Sequence, residues 1–137
     1  MAATANSRQD LAALVGRILM SAIFVWGGYV KLMSPVGTQA YFAHLGVAFP
    51  QLVWVIAMVI ELIGGLLLLL GVQTRVVAAV LGLWSIATAL AAHTNFADLD
   101  MQIHFMKNVA MAGGYAVLAG FGGGAYTLER LLARSRG

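Results

Sequence analysis

Apolar residues in this chain gather into four long runs separated by short polar interludes. The first extends from Leu11 to Leu32, is interrupted by Arg17 and ends at Lys31. The second extends from Leu52 to Val72 with Glu61 as its sole charge. The third extends from Val76 to about His93 without a charge, and the fourth from about His104 to Leu128, uncharged after Lys107. A helix needs about 20 mostly apolar residues to cross a bilayer. The pattern therefore predicts an all-α membrane protein, a bundle of four antiparallel transmembrane helices. Gln73-Thr74-Arg75 reads as a tight turn, and residues 95–103 as a second short link. The first link, 34–51, is longer and carries Val36, Ala40, Tyr41 and Leu45 at near-helical spacing. Pro35 is placed to start a helix there, and Gly46 and Pro50 to stop one. This predicts a short interfacial helix between spans one and two, lying at the membrane surface or folded back over the bundle.

Composition agrees with the pattern. Of 137 residues, 61% are hydrophobic and 9% charged, against about 25% charged in a soluble domain. Mean hydropathy is +0.89. The length allows one transmembrane domain over residues 1–137 and no separate soluble catalytic module. No cysteine is present, which excludes disulfides, thiolate metal sites and a cysteine nucleophile within the chain. Arg17 inside the first apolar run, with no A-x-A pattern after it, argues against a cleaved signal peptide.

The net charge of +3 includes no basic run, so nucleic acid is not an expected partner. In a membrane protein such charges set orientation. Four spans place both chain ends and the 73–75 turn on one side. That side holds Arg8, Arg17, Arg75, Arg130, Arg134 and Arg136; the other holds Lys31 and Lys107 with Asp98 and Asp100. Basic residues favour the cytoplasmic side, so both termini are expected in the cytoplasm of a bacterial inner membrane. Asp10 and Glu129 need no special role. Small residues let membrane helices approach closely, which makes Gly27-Gly28, Gly64-Gly65 and Gly113-Gly114 expected contact points.

A charge at the bilayer centre costs a few kcal/mol even on mild scales, so Glu61 and Arg17 need an explanation. Glu61 falls near the middle of its span, and Arg17 about 9 Å in from the cytoplasmic end at 1.5 Å per residue. An arginine side chain spans the remaining difference in depth. A buried Arg17–Glu61 ion pair is the favoured expectation, because a carboxylate with a guanidinium available stays ionised. A protonatable Glu61 in a proton path is the alternative.

Arg17, Ser21, Phe24, Gly28 and Lys31 share one helix face. His104, Lys107 and Asn108 project together from the outer end of span four, with Met111 and Tyr115 continuing that face inward. His93 ends span three, and His44 lies in the outer link. Eight of the thirteen aromatic residues fall in the same outer half: Trp26, Tyr29, Tyr41, Phe42, Phe49, Trp54, Phe96 and Phe105. An ordinary interfacial belt accounts for the rings, and Lys31 alone reads as a snorkelling residue. Neither explains two lysines on the side where basic residues are depleted. Lys31, His93, His104, Lys107 and Asn108 are therefore the candidate ligand-binding residues of a basic, aromatic outer pocket. A quinone head group, or another small anionic or carbonyl-bearing ligand, fits that chemistry. A metal held by the three histidines is a further reading, although their spacings match no metal motif.

Arg17, Gly28-x-x-Lys31, Glu61-x-x-Gly64-Gly65 and His104-x-x-Lys107-Asn108, with Thr74-Arg75 between them, resemble the DoxX family over residues 11–120. The resemblance implies a four-helix bacterial inner-membrane protein. It also implies a link to quinone-coupled oxidation or to redox-stress membrane complexes. Arg17, Lys31, Glu61, Arg75, His104, Lys107 and Asn108 are the positions carried over. No flavin fingerprint, haem ligand pair or metal motif accompanies them.

Three functions follow as expectations. The first is a quinone-linked oxidoreductase subunit or redox-stress complex component. The second is a non-enzymatic assembly or chaperone-like membrane protein, working as a homo-oligomer or within a larger complex. The third, a small multidrug-type proton antiporter, suffers from its glutamate lying in the second span instead of the first.

Overall fold

In the computed structural model, which describes residues 2–135 and side chains from residue 7, the first apolar run becomes a single helix, α1 (Ala2–Met33). Arg136, counted above among the basic residues, lies outside the described residues. Ser34 breaks the helix, and Pro35 opens α2 (Pro35–His44) from the first helical position, where its missing N–H costs nothing. A helix thus occupies the first link.

The second run is one span of two α-helical pieces, α3 (Pro50–Met58) and α4 (Gly64–Leu70), joined by a π-helical turn at Val59–Ile63. Glu61 is at the centre of that turn. Gly71, at φ 74°, ends α4 in the left-handed conformation that glycine adopts without steric cost. α5 (Thr74–Ala92) follows at once. α6 (Leu99–Phe121) starts on Asp98, whose side chain accepts from the Asp100 N–H at 2.9 Å. α7 (Leu128–Arg134) is a separate short helix capped by Thr127.

Several boundaries differ from the sequence expectation: α1 begins at Ala2, well before Leu11, and Thr74 and Arg75, expected in a turn, open α5. In the fourth apolar run, α6 begins five residues before His104, at Leu99, and stops at Phe121. Gly122 at φ 84° and Gly124 at φ 75° turn the chain into conformations a helix cannot continue. A run of small apolar residues looks like more helix when hydrophobicity alone is read; the glycine triplet is a stop.

α5 packs along α6, and α1 packs against the π turn and α4. Phe24, Leu68, Val77, Ala78, Leu81, Tyr115 and Leu118 make the core between them. The Phe24 and Tyr115 rings lie 5.6 Å apart, and the Tyr115 hydroxyl donates to the Met20 carbonyl at 2.6 Å. Among the described residues three helices, Ser7–Met33, Pro50–Leu70 and Thr74–Ala92, are long and apolar enough to cross a membrane. The described residues contain no strand.

Candidate functional site

A π turn carries one residue more per turn than the α-helix around it, and such turns are common at functional sites. Here it lies against α1 at very short range. A Cβ on Gly28 would overlap the backbone of Leu62, and one on Gly27 would stand 2.8 Å from Glu61 Oε2. From the other side, a Cβ on Gly65 would come within 2.9 Å of the Val25 nitrogen. Of the expected glycine contacts, Gly113 alone among these pairs meets nothing within 4 Å.

The close approach leaves Glu61 buried at 6% exposure. Its Oε2 accepts from Lys31 Nζ at 2.7 Å, and its Oε1 accepts from the Trp84 indole at 3.1 Å. The partner of Glu61 is thus Lys31, not Arg17. Gly27 and Gly28 lie beside Glu61 and Leu62. This register places Glu61 nearer the C-terminal end of α1 than counting from the span ends implies. The Trp54 indole, donating to the Lys31 carbonyl at 2.8 Å, ties α3 to the same end.

Arg17 is the most completely buried charge among the described residues, at 1% exposure. It donates through Nη2 to the carbonyl of Tyr126, and its Nε and Nη1 have no protein partner. Gly71 makes room for it, since a Cβ there would overlap Arg17 Nη1 and stand 2.7 Å from Thr127 Cγ2. Two carboxylates bind peptide groups nearby. Asp10 Oδ1 accepts from the Ala125 N–H at 2.7 Å, and Glu129 Oε1 from the Gln73 N–H at 2.9 Å. Both therefore have the structural role that the sequence reading did not give them.

A second polar cluster forms where α5 ends and α6 begins. The His93 and His104 rings stack with centroids 5.1 Å apart and planes 24° apart. The Lys107 ammonium donates to His104 Nδ1 at 3.0 Å, and Asn108 Nδ2 donates to the His104 carbonyl at 3.1 Å. His93 Nδ1 is buried and has no partner. Burial first, and then the charges of His104 and Lys107, push the His93 imidazole below the ordinary histidine range. Phe96 and Phe105 pack edge to face beside these residues in sequence, 5.2 Å apart.

So four of the five candidate ligand-binding residues, His93, His104, Lys107 and Asn108, come together, while Lys31 is committed to Glu61. His44 stands exposed on α2. Among the described residues no group of three or more histidines or carboxylates stands ready to hold a metal ion. Trp84 is the partner that sequence reading missed. An indole N–H in the middle of an apolar span needs an acceptor, and that requirement was the available signal.

The DoxX family model matches residues 12–94. The chain is 38% identical over 124 residues to the Escherichia coli (strain K12) protein "Inner membrane protein YqjF", covering 90% of this chain and 94% of that protein. It is 37% identical over 130 residues to "Inner membrane protein YphA" of the same organism, covering 91% and 93%. No solved structure matches. The family match takes in Arg17, Lys31, Glu61 and His93 but ends before His104.

Proposed function

From the premise that the chain belongs to the DoxX family of integral membrane proteins, we propose that it is a quinone-binding subunit of a membrane redox complex. In this reading residues 1–137 form one DoxX-like domain. α6 is the fourth span, its 23 residues reaching about 35 Å at 1.5 Å per residue. α2 lies at the outer surface, and both chain ends face the cytoplasm of a bacterial inner membrane. The inner-membrane designation of the two relatives supports the membrane in this reading, and the six-to-two division of basic residues supports the orientation.

The observation that carries the proposal is the partnerless, buried Nδ1 of His93 beside a histidine held in place by a lysine. Buried polar atoms are normally satisfied, so an orphan at a cluster of donors points to a ligand atom. A quinone oxygen is such an atom. The His93 and His104 rings and the Lys107 ammonium orient it, and the Phe96–Phe105 pair offers an apolar surface to its flat ring. Reduction of a quinone consumes electrons and an equal number of protons. In this reading the electrons come from a partner subunit, and the imidazoles pass on protons taken from the outer side.

The test is binding of a short-tailed quinone to the purified chain in nanodiscs, followed by tryptophan quenching. His93→Ala and Lys107→Ala are each expected to weaken binding at least several-fold. Absence of binding by the wild type, or unchanged binding in both variants, overturns the proposal. The assembly reading then stands, and crosslinking in membranes should return one stoichiometric partner.

A further inference from the structure

Away from the histidine cluster, where the start of α5 meets the glycine loop after α6, a cleft of about 900 Å³ opens between α1 and α6. We infer that it seats an anionic phospholipid, with the phosphate at Arg75 and Arg130 and an acyl chain between the two helices. This inference does not rest on the quinone reading.

The cleft has an apolar wall and a charged mouth. Leu19, Val117 and Phe121 line it and are also 68%, 58% and 84% exposed. The wall is therefore continuous with the outer apolar surface of the helices, and a lipid tail enters without crossing polar groups. The mouth holds Asp10, Arg75, Glu129 and Arg130. Their formal charges balance, but their availability does not. Asp10 and Glu129 each already accept from a peptide N–H. Among the described residues no hydrogen bond or ion pair engages the guanidinium of Arg75 or Arg130. Arg17, buried beside Thr127 of the same lining with two nitrogens unpartnered, adds a further positive charge below. Two free guanidinium forks and a net positive field select a phosphate monoanion. A zwitterionic headgroup brings a cation of its own into that field and is disfavoured.

Native mass spectrometry of the full chain, delipidated and then mixed with phosphatidylglycerol or phosphatidylcholine of identical acyl chains, tests this. The wild type is expected to retain phosphatidylglycerol at least about fivefold better, roughly 1 kcal/mol by the thermal energy relation. Arg75→Gln with Arg130→Gln should abolish the preference, and their lack of internal partners means the fold does not depend on them. Gly16→Leu provides a second variant. Gly16 lines the cleft, and nothing lies within 4 Å of a Cβ placed there; the larger side chain should fill the seat and lower retention of the anionic lipid. Equal retention of the two lipids overturns the inference. So does a preference that survives in the double variant. Displacement by glycerol phosphate at the concentration effective for the whole lipid would overturn it as well, because the tail would then add nothing. Quinone occupying the cleft in place of lipid, lost on Gly16→Leu, counts against it too.

Discussion

Lys31→Met takes the ammonium away from Glu61 and leaves the carboxylate with the Trp84 indole alone. Breaking one side of a buried ion pair costs about 3–5 kcal/mol. The single variant should unfold at a clearly lower temperature in detergent, and adding Glu61→Gln should recover much of the loss. A double-mutant cycle on unfolding midpoints measures this. His93 gives a pH prediction. Its folded imidazole resists protonation, so the unfolded chain binds the extra proton first, and stability falls with pH through the ordinary histidine range. Between about pH 7 and pH 5 the unfolding midpoint should drop, and His93→Gln should flatten that drop. The need for a partner at Glu61 was legible in the sequence, because an unpaired charge is expensive in lipid. Its identity was not. Arg17 and Lys31 share a face of α1, and choosing between them requires the register of α1 on the second span, which the close approach at Gly28 and Gly65 sets.

That register belongs to the element scale, where the π turn and the glycines of α1 act together. Gly28→Ala places a methyl group on the Leu62 backbone. It should lower the unfolding midpoint substantially, whereas Gly113→Ala, with open space around it, should be neutral or slightly stabilising through its better helix propensity. Comparing the two by thermal denaturation separates packing from propensity. The helices themselves were largely readable. Pro35 and the spacing of Val36, Ala40 and Tyr41 foretold α2, and the uncharged run after Arg75 foretold α5. The π turn was not readable, because Val59–Ile63 is an unexceptional apolar segment apart from Glu61. Nothing local distinguishes one extra residue in that turn; the fit to α1 and the bond to Trp84 do.

For the whole molecule the proposed topology is directly testable. The chain has no cysteine, so Asn95→Cys and Ser135→Cys can each be labelled singly in intact cells. The proposal expects an impermeant thiol reagent to reach position 95 from outside and position 135 only after lysis. Labelling of both from outside would require an odd number of crossings between them to be abandoned. In the sequence, the positive-inside count is what argues for this topology. The way the molecule closes on itself was less legible there, since Asp10 reaches Ala125 and Arg17 reaches Tyr126 across more than a hundred residues. This closure has a consequence for biosynthesis. A chain is made from its N-terminus, and domains assemble in that order. α1 therefore emerges from the ribosome long before Tyr126 exists. Until the glycine loop is translated and folds back, Arg17 lacks the carbonyl that receives it. The nascent protein thus carries Arg17 without its carbonyl acceptor through most of its synthesis, a mark by which an unfinished copy differs from a finished one.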